Sequence, residues 1–257
     1  MAPLVSLETR DRVTTLTLER PAYLNALSET VAADFRAAVA RAAREPSKVV
    51  VLRGAGRSFS SGGDLRFIEG NMRRPKAALA PVMRRFYGSF LAVRDLPQVT
   101  IAQVHGAAVG AGLCLALACD LRTVEARARL CLNFTRLGLN PGMAAWPLAR
   151  AVLGDARARE LLLTARDFTG RDLHSWGGAA LVAPTAAALA RRTSALARRI
   201  AGLSGEALRL TKAETRLGVS LEPFLAFEAR GQAVSFKSAE LAEGVTAVRE
   251  RRAPAFR

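Results

Sequence analysis

The stretch VTIAQVHGAAVGAGLCLALACD, residues 99–120, decides the fold. Its first six residues are mostly apolar and partly β-branched, the pattern of a short buried strand. Three glycines follow, Gly106, Gly110 and Gly112, and then an apolar segment from 110 to 118 that reads as a buried helix. A strand that passes through a small-residue turn directly into a helix is the unit of a parallel α/β sheet. The first N–H groups of such a helix have no partner within the helix, and glycines let a ligand approach them closely. The uncharged run from Gly106 to Cys119 is 14 residues long, which is too short to cross a bilayer.

The same arrangement recurs upstream. Lys48 to Arg53 (KVVVLR) is a second buried strand, Gly54 to Gly63 a Gly/Ser loop, and Asp64 the start of a helix, where its charge suits the helix dipole. Before it, Leu4 to Leu7 and Val13 to Leu18 flank a turn at Arg10-Asp11-Arg12 and predict a hairpin. Ser28 opens a helix to about Arg44. Residues 72–80 are expected to be a loop, and Pro81 to Val93 a helix. Leu121 to Val124 is a third strand. After about residue 185 only helical patterns remain: Thr185 to Ala201, Ser204 to Gly218, Leu221 to Val234 and Ser238 to Arg251. The expected organisation is an α/β core over residues 1–201 and a helical region over 202–257.

The 257 residues are half hydrophobic, enough for a sizeable core and incompatible with global disorder. The net charge is +16, and only four of the basic residues are lysines. Such a charge suits nucleic acid, but the basic runs lack interleaved aromatics and match no nucleic-acid motif. It equally steers an anionic small ligand or an acidic carrier protein to the surface. Cys114, Cys119 and Cys131 are odd in number and sit in apolar surroundings, so a disulfide framework is not expected, nor is a metal site. The N-terminal segment carries Glu8 and Asp11 and no long apolar run, so no signal peptide is expected and the cytoplasm is the expected compartment.

The two loops exclude several chemistries. No Lys-Ser/Thr follows the glycines, as a P-loop requires, and Gly110-Ala111-Gly112 lacks the third glycine of a dinucleotide fingerprint. Ser60 and Ser61 lack the Gly-x-Ser-x-Gly elbow, and His105 and His174 are the only histidines. What remains is a pair of helix N-termini able to hold a developing oxyanion.

Five segments in order carry a family resemblance. They are Arg20-Pro21 with Asn25-Ala26-Leu27, Phe59 to Leu65, Val104 to Asp120, Leu137 to Gly142, and Glu243-Gly244 with Arg251 to Pro254. The chain resembles the crotonase superfamily of enoyl-CoA hydratases and isomerases over nearly its whole length. The resemblance implies an α/β fold with a ββα superhelix core and a C-terminal helical region. It implies an acyl-CoA substrate of fatty-acid-type metabolism with no separate cofactor, and assembly as a homotrimer or hexamer. The thioester oxygen would be held by the N–H groups of Gly63 and Ala111. Substrate contacts would come from Ser61, Gly62, Asp64 and Leu65 of the first loop and from Gly110 and Cys114 of the second. Asn133, Phe134, Pro141, Gly142 and Trp146 complete the expected acyl pocket. Arg20, Arg66, Lys237, Arg251 and Arg252 are candidates for the coenzyme phosphates. Phe224, Phe227 and Phe236 suit either a subunit interface or the chain's own core.

One departure weakens the usual hydratase or isomerase lyase chemistry. Family hydratases use two glutamates, and here Cys114 and Phe134 stand at their positions. Between Gln98 and Arg150 the only carboxylates are Asp120, expected to be structural, and Glu125. An oxyanion hole alone still serves decarboxylation, so a decarboxylase acting on a CoA- or carrier-protein-bound acyl thioester is the alternative. A non-catalytic protein binding acyl-CoA or RNA is the alternative of another class. Glu69, Asn71 and His174 are weighed as site residues, with helix surface the default for each.

Overall fold

A computed structural model describes residues 3–203, 205–215 and 222–252. Strands β1 (Val5–Arg10) and β2 (Val13–Leu18) form the expected hairpin, with Val5 opposite Leu18 and Arg10 opposite Val13. Asp11 and Arg12 both take positive φ, as a tight two-residue hairpin turn requires. Helix α1 (Glu29–Ala42) is capped by Ser28, whose hydroxyl accepts from Val31 N. Strand β3 (Val49–Gly54) pairs parallel with β2. Helix α2 (Leu65–Met72) begins on Asp64, whose carboxylate accepts from Arg66 N at 2.9 Å.

Helix α3 spans Lys76–Leu91 and so starts five residues before the proline expected to open it. Ala77 to Ala80 are strong helix formers. Leu79, Val82, Met83 and Phe86 continue one buried stripe through the proline, while Pro81 itself is exposed. Burial of that stripe outweighs the one backbone bond that Pro81 removes.

The site-bearing segment follows. Strand β4 (Val99–Val104) leads to β5 (Ala107–Val109) and then to α4 (Ala111–Ala118), every residue of which is buried. Strands β6 (Leu121–Glu125) and β7 (Arg129–Cys131) follow, then α5 (Ala145–Leu153), α6 (Asp155–Thr164), β8 (Phe168–Thr169), α7 (Gly170–Ser175) and β9 (Leu181–Ala183). The larger sheet runs β1-β2-β3-β4-β6-β9 and is parallel except for β1. The smaller sheet runs β5-β7-β8. The four strands absent from the sequence reading, β5, β7, β8 and β9, are two or three residues each, too short to show a period.

The C-terminal helices are α8 (Ala186–Ala201), α9 (Gly205–Glu214), α10 (Glu222–Ser235) and α11 (Ala239–Arg249), close to the expected spans. Helix α10 packs along α3, and α11 packs on the turn at Thr135–Leu137. No helix of the described residues is long and apolar enough to cross a membrane.

Helix α9 supplies Lys212, which is 6% exposed and pairs with Asp120 at 2.6 Å. Asp120 Oδ2 also accepts from Thr100 N at 2.7 Å and Thr100 Oγ1 at 2.8 Å, and Lys212 donates to Gln98 O. This network ties the α4–β6 corner to the C-terminal region.

All three cysteines are buried, and none of them forms a disulfide. Burial pushes the Cys119 thiol, and likewise that of Cys131, from an ordinary 9.0 up to about 12. The reactive thiolate therefore forms in the unfolded chain well before it forms in the folded one. Folding stability from these groups is intact below 9.0 and falls as pH rises from there toward about 12. Native protein at about pH 8 should take up no iodoacetamide by mass spectrometry, and denatured protein should take up three equivalents. Fast labelling of native Cys119 or Cys131 would refute this.

Candidate active site

The two glycine loops meet. Ser60 N donates to Ala107 O at 3.0 Å, and Val109 N donates back to Ser60 O at 3.1 Å, so the first loop runs as a short strand beside β5. The contact leaves no room for side chains. A Cβ on Gly62, where φ is +96°, would stand 2.5 Å from Val109 O and 3.6 Å from Ala111 N. One on Gly112 would stand 2.6 Å from Ser60 O. The small residues are thus a packing requirement of the paired loops.

A cavity of about 550 Å³ opens at this junction. Ser61, Gly63, Asp64 and Leu65 line it from the first loop, and Gly110 and Ala111 from the second. Among the described residues, neither Gly63 N nor Ala111 N has a hydrogen-bond acceptor. Ala111 is the first residue of α4, so its free N–H also lies at the positive end of the helix dipole.

Asn133 and Phe134 line the same cavity. The Asn133 amide lies against the second loop, 2.8 Å from where a Cβ on Gly110 would be. Asp64 is the one carboxylate among the described lining residues, and it is engaged. Its Oδ1 accepts from Arg66 N, and its Oδ2 accepts from Arg20 at 3.0 Å.

The body of the cavity is apolar. Phe67 of α2 stacks on Phe86 of α3 with ring centroids 4.4 Å apart, and Ile68, Met83 and Phe236 extend the surface. Tyr87 and Gln232 supply a polar end from α3 and α10. Both approach Gly142: a Cβ there would stand 2.5 Å from Tyr87 OH and 2.3 Å from Gln232 Nε2.

The remaining expected contacts lie elsewhere. Gly62 is sealed against Val109, and Cys114 is fully buried, its thiol 3.8 Å from Gly142 O. Gly142 stands behind Tyr87 and Gln232 instead of lining the cavity, and Pro141 lies off it. Trp146, on α5, is also off the cavity; the Arg159 guanidinium covers its ring at 4.9 Å. Glu69 is off the cavity lining and forms an ion pair with Arg249. Asn71 donates to Phe67 O, and His174 Nδ1 donates to Ala179 O.

Of the basic candidates, Arg66 lines the cavity, and so does Arg57, which the sequence reading missed. Arg20 is committed to Asp64, Ala26 O and the face of Tyr23. Lys237 donates to Met72 O, and Arg252 pairs with Glu243 and Glu250. Arg251 is exposed. Phe236 lines the cavity, whereas the side chains of Phe224 and Phe227 lie outside what is described.

Tyr87 and Gln232 carry no motif, and the sequence reading missed both. Gln232 does leave a signal: with Leu225, Ala229, Ala233 and Phe236 it falls on one buried stripe, where a glutamine is out of place.

Fold and loops together define an α/β protein in which two residues whose backbone amides have no acceptor among the described residues line a largely apolar cavity, to which the C-terminal helices also contribute. A family model described as enoyl-CoA hydratase/isomerase matches residues 8–257, and the chain belongs to that family. Its fold is the crotonase fold. An enoyl-CoA hydratase structure from Mycobacterium avium subsp. paratuberculosis K-10 superposes at a TM-score of 0.86 and 30% identity, covering 99% of this chain and 98% of that one. A Mycobacterium bovis protein named "Probable enoyl-CoA hydratase echA12" is 36% identical over 263 residues, covering 96% of this chain and 90% of that one. The 1,2-epoxyphenylacetyl-CoA isomerase of Escherichia coli K12 is 31% identical over 252 residues, covering 95% and 94%.

Proposed function

We propose that this chain is an acyl-CoA enzyme in which the N–H groups of Gly63 and Ala111 hold the thioester oxygen as negative charge develops on it. The observation that carries this reading is that both amides line one cavity with no acceptor among the described residues. Each such donor contributes about 3–4 kcal/mol to the transition state of comparable reactions. Arg57 and Arg66 line the same cavity and suit the phosphates of coenzyme A.

Proton transfer then cannot follow the two-glutamate route. Hydration needs one group to activate water and another to protonate the α-carbon. Cys114 and Phe134 occupy the positions that the resemblance assigns to those groups, and Asp64 is held by Arg20 and Arg66. The chemistry best supported is therefore one whose main barrier is the enolate itself.

Asn133 favours decarboxylation as a second reading. Its amide lies beside the second loop at the cavity wall, suited to hold a substrate carboxylate. Carbon dioxide would leave, its bonding electron pair would pass onto the thioester oxygen, and the α-carbon would then take up a proton.

The test is a panel of enoyl-, saturated and malonyl-type acyl-CoA substrates in deuterated water, read by mass spectrometry. Hydration, double-bond migration, α-deuteration or loss of carbon dioxide from any member supports an acyl-CoA enzyme, and the product identifies which. Binding of the whole panel without turnover would make it a non-catalytic acyl-CoA protein and sink the proposal.

A further inference from the structure

Arg20 does not line the acyl cavity, yet one of its nitrogens ties together the two chain segments that hold Gly63. Its Nη1 donates to Ala26 O at 2.8 Å and to Asp64 Oδ2 at 3.0 Å. Next to those two contacts lies a short parallel bridge that sets Leu27 beside Gly63. Leu27 N donates to Gly62 O at 2.7 Å, and Asp64 N donates to Leu27 O at 2.9 Å.

The bridge sets the direction of the Gly63 N–H. A trans peptide is planar, so its C=O and N–H point in opposite directions. Gly62 O accepts from Leu27, and the N–H of Gly63, on the same peptide, therefore points away from Leu27. A peptide whose oxygen already accepts a hydrogen bond is polarised and donates more strongly through its N–H. The bond from Leu27 thus orients the amide and strengthens it, and Arg20 holds the neighbours of the bridge on both segments.

Charge gives Arg20 a second task. Asp64 directly follows Gly63 and lines the cavity, so a bare carboxylate there would repel negative charge developing on a thioester oxygen. The guanidinium compensates that carboxylate. The two side chains are only 16% and 11% exposed, which leaves little solvent to screen the charge if Arg20 were lost. Arg20 is itself held in place: Tyr23 presents its ring 4.7 Å from the guanidinium carbon, and Arg20 N donates to Asn25 Oδ1 at 2.9 Å.

We infer that Arg20 is a positioning residue, which orients the Gly63 N–H and neutralises Asp64 so that the amide can stabilise the oxyanion. The inference rests on the acyl-thioester reading of the cavity. The role requires no contact between Arg20 and substrate, so its loss should cost rate and spare affinity.

The test is Arg20→Met, read by infrared spectroscopy of a bound saturated acyl-CoA with an isotopically labelled thioester carbonyl, and by kinetics on whichever acyl-CoA the unaltered protein turns over. In the unaltered protein the carbonyl stretch should lie below that of the free ligand. In Arg20→Met it should move back toward the free position, and kcat should fall about tenfold to a hundredfold with KM little changed. Adding Asp64→Asn should recover part of kcat, because asparagine keeps the helix cap and removes the bare charge. Arg20→Lys keeps the charge without the guanidinium geometry and should fall between.

Folded Arg20→Met with an unchanged carbonyl stretch and kcat would overturn the inference. A loss of affinity with stretch and kcat intact would also overturn it, by making Arg20 a ligand of the coenzyme. A carbonyl that does not shift even in the unaltered protein would instead overturn the reading of the cavity. If Arg20→Met does not fold, Arg20→Lys decides on the same two readouts.

Discussion

Replacing Ala111 with proline should lower the turnover number by a factor of about 10²–10³, the loss expected for one oxyanion donor. A backbone donor is out of reach of ordinary side-chain changes, but here the fold provides a way to remove it. Ala111 is the first residue of α4, and proline is well tolerated at a first helical position, where the missing N–H was unbonded anyway. The ring replaces the N–H on the cavity side, and the rest of the helix keeps its bonds. Thermal stability should therefore change little while the rate collapses. Ala111→Gly, which retains the N–H, should keep most of the activity. A proline variant with full turnover would remove Ala111 from the proposed chemistry.

The largest effect on stability should come from Asp120→Ala, at about 3–5 kcal/mol. The substitution leaves Lys212 buried with its carboxylate partner gone and deprives Thr100 N of its acceptor. For a domain of this size the melting temperature should fall by roughly 10 °C, at about 2–4 °C per kcal/mol. Pairing it with Lys212→Met should recover part of the loss, because the stranded charge goes too. Additive losses in the double variant, read by calorimetry, would mean the ion pair is not the source. Asp120 lies off the acyl cavity, so folded Asp120→Ala protein should retain acyl-CoA affinity.

The elements that organise the site could be read from sequence because each carries a local physical mark. The KVVVLR run, the glycines after His105 and the capping residues Ser28 and Asp64 each dictate backbone geometry without help from distant residues. Pro81 misled because a proline usually opens a helix, whereas the buried stripe running past it continues the one already begun. The loop half of the site shared this legibility, since close backbone approach demands small residues. The acyl half did not. Tyr87 and Gln232 come together only when α10 lies along α3, a contact between residues far apart in the chain. Trp146 shows the converse: the family resemblance suggested a place in the pocket, yet α5 turns its ring to Arg159.

The C-terminal helices give the molecule a temporal order. Both amides of the proposed hole belong to the first half of the chain, whereas Gln232, Phe236 and Val248 come from its last 26 residues. On the ribosome, the hole can form before the rest of the cavity wall is made. Exchanging only the last two helices between relatives should thus alter the far wall of the cavity while leaving the Gly63 and Ala111 loops as they are.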